Sequence, residues 1–118
     1  MIQVNIPSTE VNNINDLKEL DYFHHGGDSY IFMYDLGDSC SAMVYNIETE
    51  CDDIIEGAMF ESRHHKTGDL QTPISNRGNI FEYCKQGIEQ LEKQGIEPTA
   101  YKNLLIIANE IKEHLAED

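Results

Sequence analysis

From Glu48 to Asp53 only Thr49 and Cys51 interrupt a run of carboxylates, and Glu56 follows three residues on. Carboxylates at that density can hold a cation, share acid–base work, or present a negative surface to a positive one. Mg²⁺ takes one or two acids together with water and a substrate phosphate, and Asp52, Asp53 and Glu56 are of the right type for it. An enzyme that moves phosphate also surrounds its metal with Lys or Arg, which neutralise the charge developing in the transition state. This region has neither. Between Lys18 and Arg63 the chain carries eleven acids and no lysine or arginine.

The remaining reactive side chains point away from catalysis. His24–His25 and His64–His65 are adjacent pairs, and adjacent histidines diverge on most backbones, so a pair rarely supplies two ligands to one metal. No Cys or His stands at the spacing of a structural zinc site, and no H-E-x-x-H occurs. Cys51 and Cys84 fall on apolar helical stripes, where a thiol is a small core residue. Cys40 lies between Ser39 and Ser41 with no basic neighbour in sequence to lower its pKa. The chain has no P-loop, G-x-G-x-x-G or G-x-S-x-G, and the two glycines of HHGGD lead into a strand, not a phosphate-cradling helix. The expectation is no catalytic residue, no metal site and no cofactor.

Charge is the dominant signal. The 118 residues hold 22 acids and 8 bases, a formal net charge of −14. Residues 1–60 contain twelve acids against the single Lys18, whereas residues 61–118 contain ten acids and seven bases. The second half has the interspersed charge of an ordinary solvated surface, with Glu89 and Lys93 as an i, i+4 pair. The first half does not. Direct binding to nucleic acid or to an anionic membrane needs clusters of Lys and Arg, which are absent. A one-sign surface steers partners of the opposite sign, so a basic protein is the favoured partner.

The elements that must position these acids follow from periodicity. Ile2, Val4 and Ile6 alternate with polar residues and predict a short strand closed by Pro7. Residues 13–20 predict a short helix with Asn13 as cap and Ile14, Leu17 and Leu20 on one side. Residues 24–29 read as a flexible turn. Residues 30–36 and 40–47 predict a β-hairpin, and Tyr30 to Tyr34 is apolar on both faces, as befits a central strand or an interface. Thr49 with Asp52 resembles a capping box, and Cys51, Ile54, Ile55, Ala58 and Met59 then recur at helical spacing. The reading is an amphipathic helix over 50–60, in which Glu50, Asp52 and Asp53 would gain from the helix dipole. Residues 62–78 carry turn formers without a period and read as a long loop. Two antiparallel helices end the chain. The first starts at an Asn79 cap, and the second has Pro98 in its first turn and Leu104, Ile107, Ala108, Ile111 and Leu115 inward.

The sum is a single α+β domain over 1–118, with an acidic β-rich part (1–61), a loop (62–78) and a helical hairpin (79–116). A small antiparallel sheet packs against helices in the order β-α-β-β-α-α-α. Length alone makes one domain the prior. The N-terminus lacks a signal-peptide pattern, and no apolar run reaches membrane-spanning length. Three unpatterned cysteines suit a reducing cytoplasm. The function expected is that of a small acidic inhibitor or binding protein, blocking a basic, nucleic-acid-handling partner as a toxin-immunity or anti-defence protein would. Asp35, Asp38, Glu48, Glu50, Asp52, Asp53 and Glu56 would pair with its Lys and Arg, and Tyr34 and Tyr45 would add apolar contact area. The alternative is an oligomeric adaptor or homodimer assembled through the C-terminal helices.

Overall fold

The computed structural model describes residues 4–37, 41–57, 59–60, 65–66 and 68–117, with side chains described outside 59–66. Six strands form one antiparallel sheet: β1 (Thr9–Asn13), β2 (Asp21–His25), β3 (Asp28–Asp35), β4 (Ser41–Asn46), β5 (Cys51–Glu56) and β8 (Asp69–Asn79). Their spatial order is β1-β8-β2-β3-β4-β5. The short strands β6 (Met59–Phe60) and β7 (His65–Lys66) pair separately. Helices α1 (Ile80–Lys93) and α2 (Thr99–Ala116) close the chain.

Alternation along β3 explains why it sits inside the sheet. Tyr30 and Phe32 enter one apolar cluster with Phe23, Val44, Ile55, Ile74, Ile14 and Leu17. Ile31 and Met33 enter the other, which the helices cover with Ile80, Cys84, Ala108 and Ile111. Both faces of the central strands are therefore buried. The helices cover one face, and the 3₁₀ turn Ile14–Asp16 with the β1 segment contributes to the other.

Several sequence-based expectations are corrected. The order β-α-β-β-α-α-α with three helices gives way to a six-stranded sheet and two helices. Residues 13–20 do not form a helix. Asn13 does cap, accepting from Asn15 N–H at 2.8 Å, but only three residues follow as a 3₁₀ turn. Its apolar side chains then divide between the two clusters, Ile14 and Leu17 to one and Leu20 to the other. The first strand lies at Thr9–Asn13, not at 2–6, where Val4, Asn5 and Ile6 have no regular structure and 2–3 lie outside the described residues.

The presumed loop 62–78 contains all but the last residue of the 11-residue strand β8, packed between β1 and β2. Two irregularities hide its period. Pairing with β1 jumps from Val11↔Ile74 to Asn13↔Asp69, so Pro73 lies where no ladder N–H is needed. Pairing with β2 jumps between Asp21↔Asn79 and Phe23↔Asn76, beside Gly78 at φ +87°. HHGGDS is a tight hairpin in which Gly26 and Gly27 both take positive φ, +59° and +88°, as a two-residue turn between right-twisted strands demands.

The largest correction concerns the acidic stretch. Residues 51–56 are not a helix but the edge strand β5, paired in register with β4 from Ser41↔Glu56 to Asn46↔Cys51. Asn46, 2% exposed, organises the reversal. Its side-chain oxygen accepts the N–H groups of Glu48 at 2.9 Å and Thr49 at 3.2 Å, and its amide donates to Asp28 at 3.2 Å. A helix would have stacked Asp52 on Glu56 at i, i+4, a repulsive pair. A strand sends Asp52 and Asp53 to opposite faces and lets β-branched Ile55 complete the core.

Two stability outcomes follow from this packing. Asn46→Ala removes the turn acceptor and leaves Asp28 without that donor, so chemical denaturation should show a loss of about 1–2 kcal/mol. The Tyr101 ring of α2 lies where a side chain at Gly87 of α1 would go. Gly87→Ala should therefore lower the melting temperature, because overpacking of about 1–3 kcal/mol outweighs a helix-propensity gain of at most about 1 kcal/mol. A rise would show that the two helices are not in this close contact.

Candidate binding surface

Hydrogen-bond register determines what β5 offers to solvent. Ile47 N–H and Ser41 C=O both bond to the β3 side. The intervening residues of β4, Ala42, Val44 and Asn46, therefore face β5 and engage Ile55, Asp53 and Cys51. The backbone groups of Asp52, Ile54 and Glu56 point to the outer edge. There the Asp53 carboxylate takes the Ile54 N–H at 2.8 Å, so the edge answers part of its own hydrogen-bonding demand. Among the described residues no strand pairs with this outer side.

The side chains sort by face. Asp52 stands opposite Tyr45, and Ile54 opposite Met43, which in turn stands opposite Tyr34 of β3. Met43 and Tyr45 belong to the helix-covered cluster, so Tyr34, Tyr45, Asp52, Ile54 and Glu56 share the helix side of the sheet. Asp53 alternates to the other side with Ile55, and Asp35, opposite Ala42, goes with it. Glu48 and Glu50 occupy the β4–β5 turn, Glu50 with φ at +57°. Glu48, Glu50, Asp52 and Asp53 are all exposed, and among the described residues none of the four is ion-paired. Asp35 holds Gly37 N–H at 2.6 Å. Asp38 lies outside the described residues.

The structure thus joins Tyr34, Tyr45, Asp52 and Glu56 on one face and separates Asp35 and Asp53 from them. It also brings in residues that the sequence reading passed over. Tyr34 is 42% exposed and Ile54 49%, so an apolar strip lies beside the acids. Between these strands and α2 is a cavity of about 250 Å³ lined by Met33, Tyr45, Asp52, Glu110, Ile111 and His114. A second cavity of about 430 Å³, nearer the start of α2, meets Glu50, Tyr22, Tyr83, Tyr101, Leu104 and Ile107. Glu110 and His114 border the apolar stripe of Ile107 and Ile111. Residues flanking a stripe lie at the rim of whatever the stripe covers, and that was the available signal.

Electrostatics agree with this placement. Burial raises the Tyr45 phenol above its usual value, and the charges of Glu50, Cys51, Asp52 and Glu110 raise it further. The other reactive groups are dispersed. Burial pushes the Cys84 thiol up to about 11, which leaves it protonated and inert at neutral pH. Cys51, expected in the core, is exposed on β5 instead, and Cys40 is outside the described residues. His24 bonds Ser29 Oγ at 3.0 Å, and burial with the nearby Arg77 lowers its pKa. Among the described residues no three His, Cys, Asp or Glu side chains are placed to hold a metal ion. Among them, too, no helix is long and apolar enough to cross a membrane.

Comparison with known proteins returns nothing: no family model, curated protein or solved structure matches this chain.

The Tyr45 field can be measured. Removing negative charge favours the phenolate, so Asp52→Asn combined with Glu110→Gln should lower the Tyr45 pKa, read from the ring-carbon NMR shift through alkaline titration. Burial persists in the variant, so the value should remain above about 10. An unchanged titration would place the two carboxylates away from the phenol.

Proposed function

We propose that this protein is an acidic binding protein that captures and blocks a basic partner through β5, the β4–β5 turn and the adjoining helix-side strip. The observation that carries this reading is the exposed set Glu48, Glu50, Asp52 and Asp53, none of it ion-paired among the described residues, on a sheet edge and its turn with Tyr34 and Ile54 beside it. Carboxylates on an edge strand also keep edges from pairing with one another, which accounts for charge along the strand itself. It does not account for Glu48 and Glu50 in the turn. Unrelieved like charge costs a compact state stability, and a positively charged partner turns that cost into association rate and specificity.

The partner class that fits best is a protein that handles nucleic acid. Such proteins concentrate Lys and Arg to meet phosphates, and carboxylates with planar, bidentate geometry are good acceptors for arginine. An inhibitor that occupies such a cleft needs no catalytic group. The adaptor alternative has less to draw on. The apolar residues of α2 pack into the cluster shared with the sheet and α1, and Ile106, 58% exposed, is the large apolar side chain that α2 leaves outward.

The test is affinity capture by the wild-type protein beside a Glu48→Lys, Asp52→Lys, Asp53→Lys variant. All three sites are exposed, and circular dichroism melting would confirm that the variant folds. Captured proteins should be basic, elute as salt rises through the range where the Debye length falls from about 10 Å to about 3 Å, and be lost to the variant. Capture that survives both salt and charge reversal would refute the reading.

A further inference from the structure

The cavity between α2 and the outer strands has features that an exposed acidic edge lacks. Its walls come from three elements: Met33 of β3, Tyr45 and Asp52 of the β4–β5 pair, and Glu110, Ile111 and His114 of α2. Met33 and Ile111 are buried, at 4% and 7% exposure, and Tyr45 is half-buried. Two exposed carboxylates, one from β5 and one from α2, thus flank an open depression whose floor is aliphatic, thioether and aromatic. No described lysine or arginine lines it.

Its size and lining restrict the occupant. A volume of about 250 Å³ is below the range of roughly 300–1,000 Å³ typical of small-molecule sites, and suits a single side chain. A bare metal ion does not fit the donor arrangement, since no three acidic, histidine or cysteine side chains among the described residues are placed to hold one. Asp52 and Glu110 are exposed at the rim of the cavity and keep their water when it is empty, so a neutral side chain would gain only the apolar floor. A cation on an apolar stem complements the apolar floor and both carboxylates.

We infer that this cavity is the anchor site for an arginine side chain of the partner. The methylene stem packs on Met33 and Ile111, the guanidinium lies against the Tyr45 ring, and its N–H groups reach Asp52 on one side and Glu110 on the other. Arginine is favoured over lysine for two reasons. Its planar fork can donate to two carboxylates from separate directions, and its weaker hydration suits contact with an aromatic face. The second cavity lies alongside. Ile107 lines that one and Ile111 this one, a single turn of α2 or about 6 Å apart, so one segment of the partner can address both.

This inference rests on the basic-partner reading but fails separately from it. The probes are N-acetyl-arginine amide and N-acetyl-lysine amide, titrated into the isotopically labelled full chain and followed by NMR. The arginine probe should shift the Tyr45 ring, the Ile111 methyls and the His114 ring together, saturating at millimolar concentration, with the lysine probe weaker. Glu110→Gln should weaken the arginine probe by about fivefold, the worth of one solvent-accessible charge pair. Glu10→Gln, on β1 at the opposite edge of the sheet, should leave it within about twofold. Equal binding of the two probes overturns the choice of arginine. Shifts confined to the β5 and turn amides, with Tyr45, Ile111 and His114 unmoved, overturn the anchor site. Capture that survives Glu110→Lys but not the Glu48, Asp52, Asp53 reversal does the same, and leaves the acidic edge standing as the binding surface.

Discussion

A sheet that is apolar on both faces must be covered on both, and among the described residues the two helices cover one of them. That constraint organises the molecule. Phe23, Ile31 and Val44, each fully buried, show how completely the central strands are enclosed. The helices cover the face of Ile31 and Met33, while the Ile14–Leu17 segment joins the cluster on the opposite face around Phe23, Phe32 and Val44. Cover of this kind runs out toward the edge. By β5 the helix side is open, and Ile54 and Tyr34 remain partly in solvent. The uncovered margin and the acidic stretch coincide.

That coincidence relates stability to function. On a strand adjacent residues diverge, which spreads Asp52 and Asp53 across two faces and lessens their mutual repulsion. The same residues on a helix would have crowded one another. The edge is also shielded from its own kind, because two copies would meet as like charges, and Asp53 already takes the Ile54 N–H. Behind it, Tyr45 links the edge to the core: its ring belongs to the helix-side cluster, and its hydroxyl feels Glu50, Asp52 and Glu110.

Parts of this arrangement were legible in the chain. The β3–β4 hairpin and the two C-terminal helices, with Asn79 as cap of the first, are present because each has strong local periodicity, although Pro98, read into the first turn of the second helix, stands just before it as an N-cap without a side-chain bond. The acidic stretch was misread because Cys51, Ile54, Ile55 and Met59 satisfy a helical period that six residues of strand also tolerate. The deciding features were an Asn46 side chain that closes a turn and a buried slot for Ile55, and both are tertiary. Strand β8 was missed because Pro73 and Gly78 look like loop residues, and the bulges that accommodate them exist only once β1 and β2 are in place.

The composition of the chain determined the sign of its surface, the absence of the common nucleotide and hydrolase motifs, and the band of residues where the unrelieved charge lies. These are properties of residue type and order and need no partner across the fold. Which acids share a face was decided by pairing register, since a slip of one residue exchanges the two faces of a strand. The joining of Asp52 to Glu110, Tyr45 and His114 depends on the packing of α2 over β3, beside β4 and β5. Residues some sixty positions apart become neighbours only through that packing, and no local pattern in either segment carries the information.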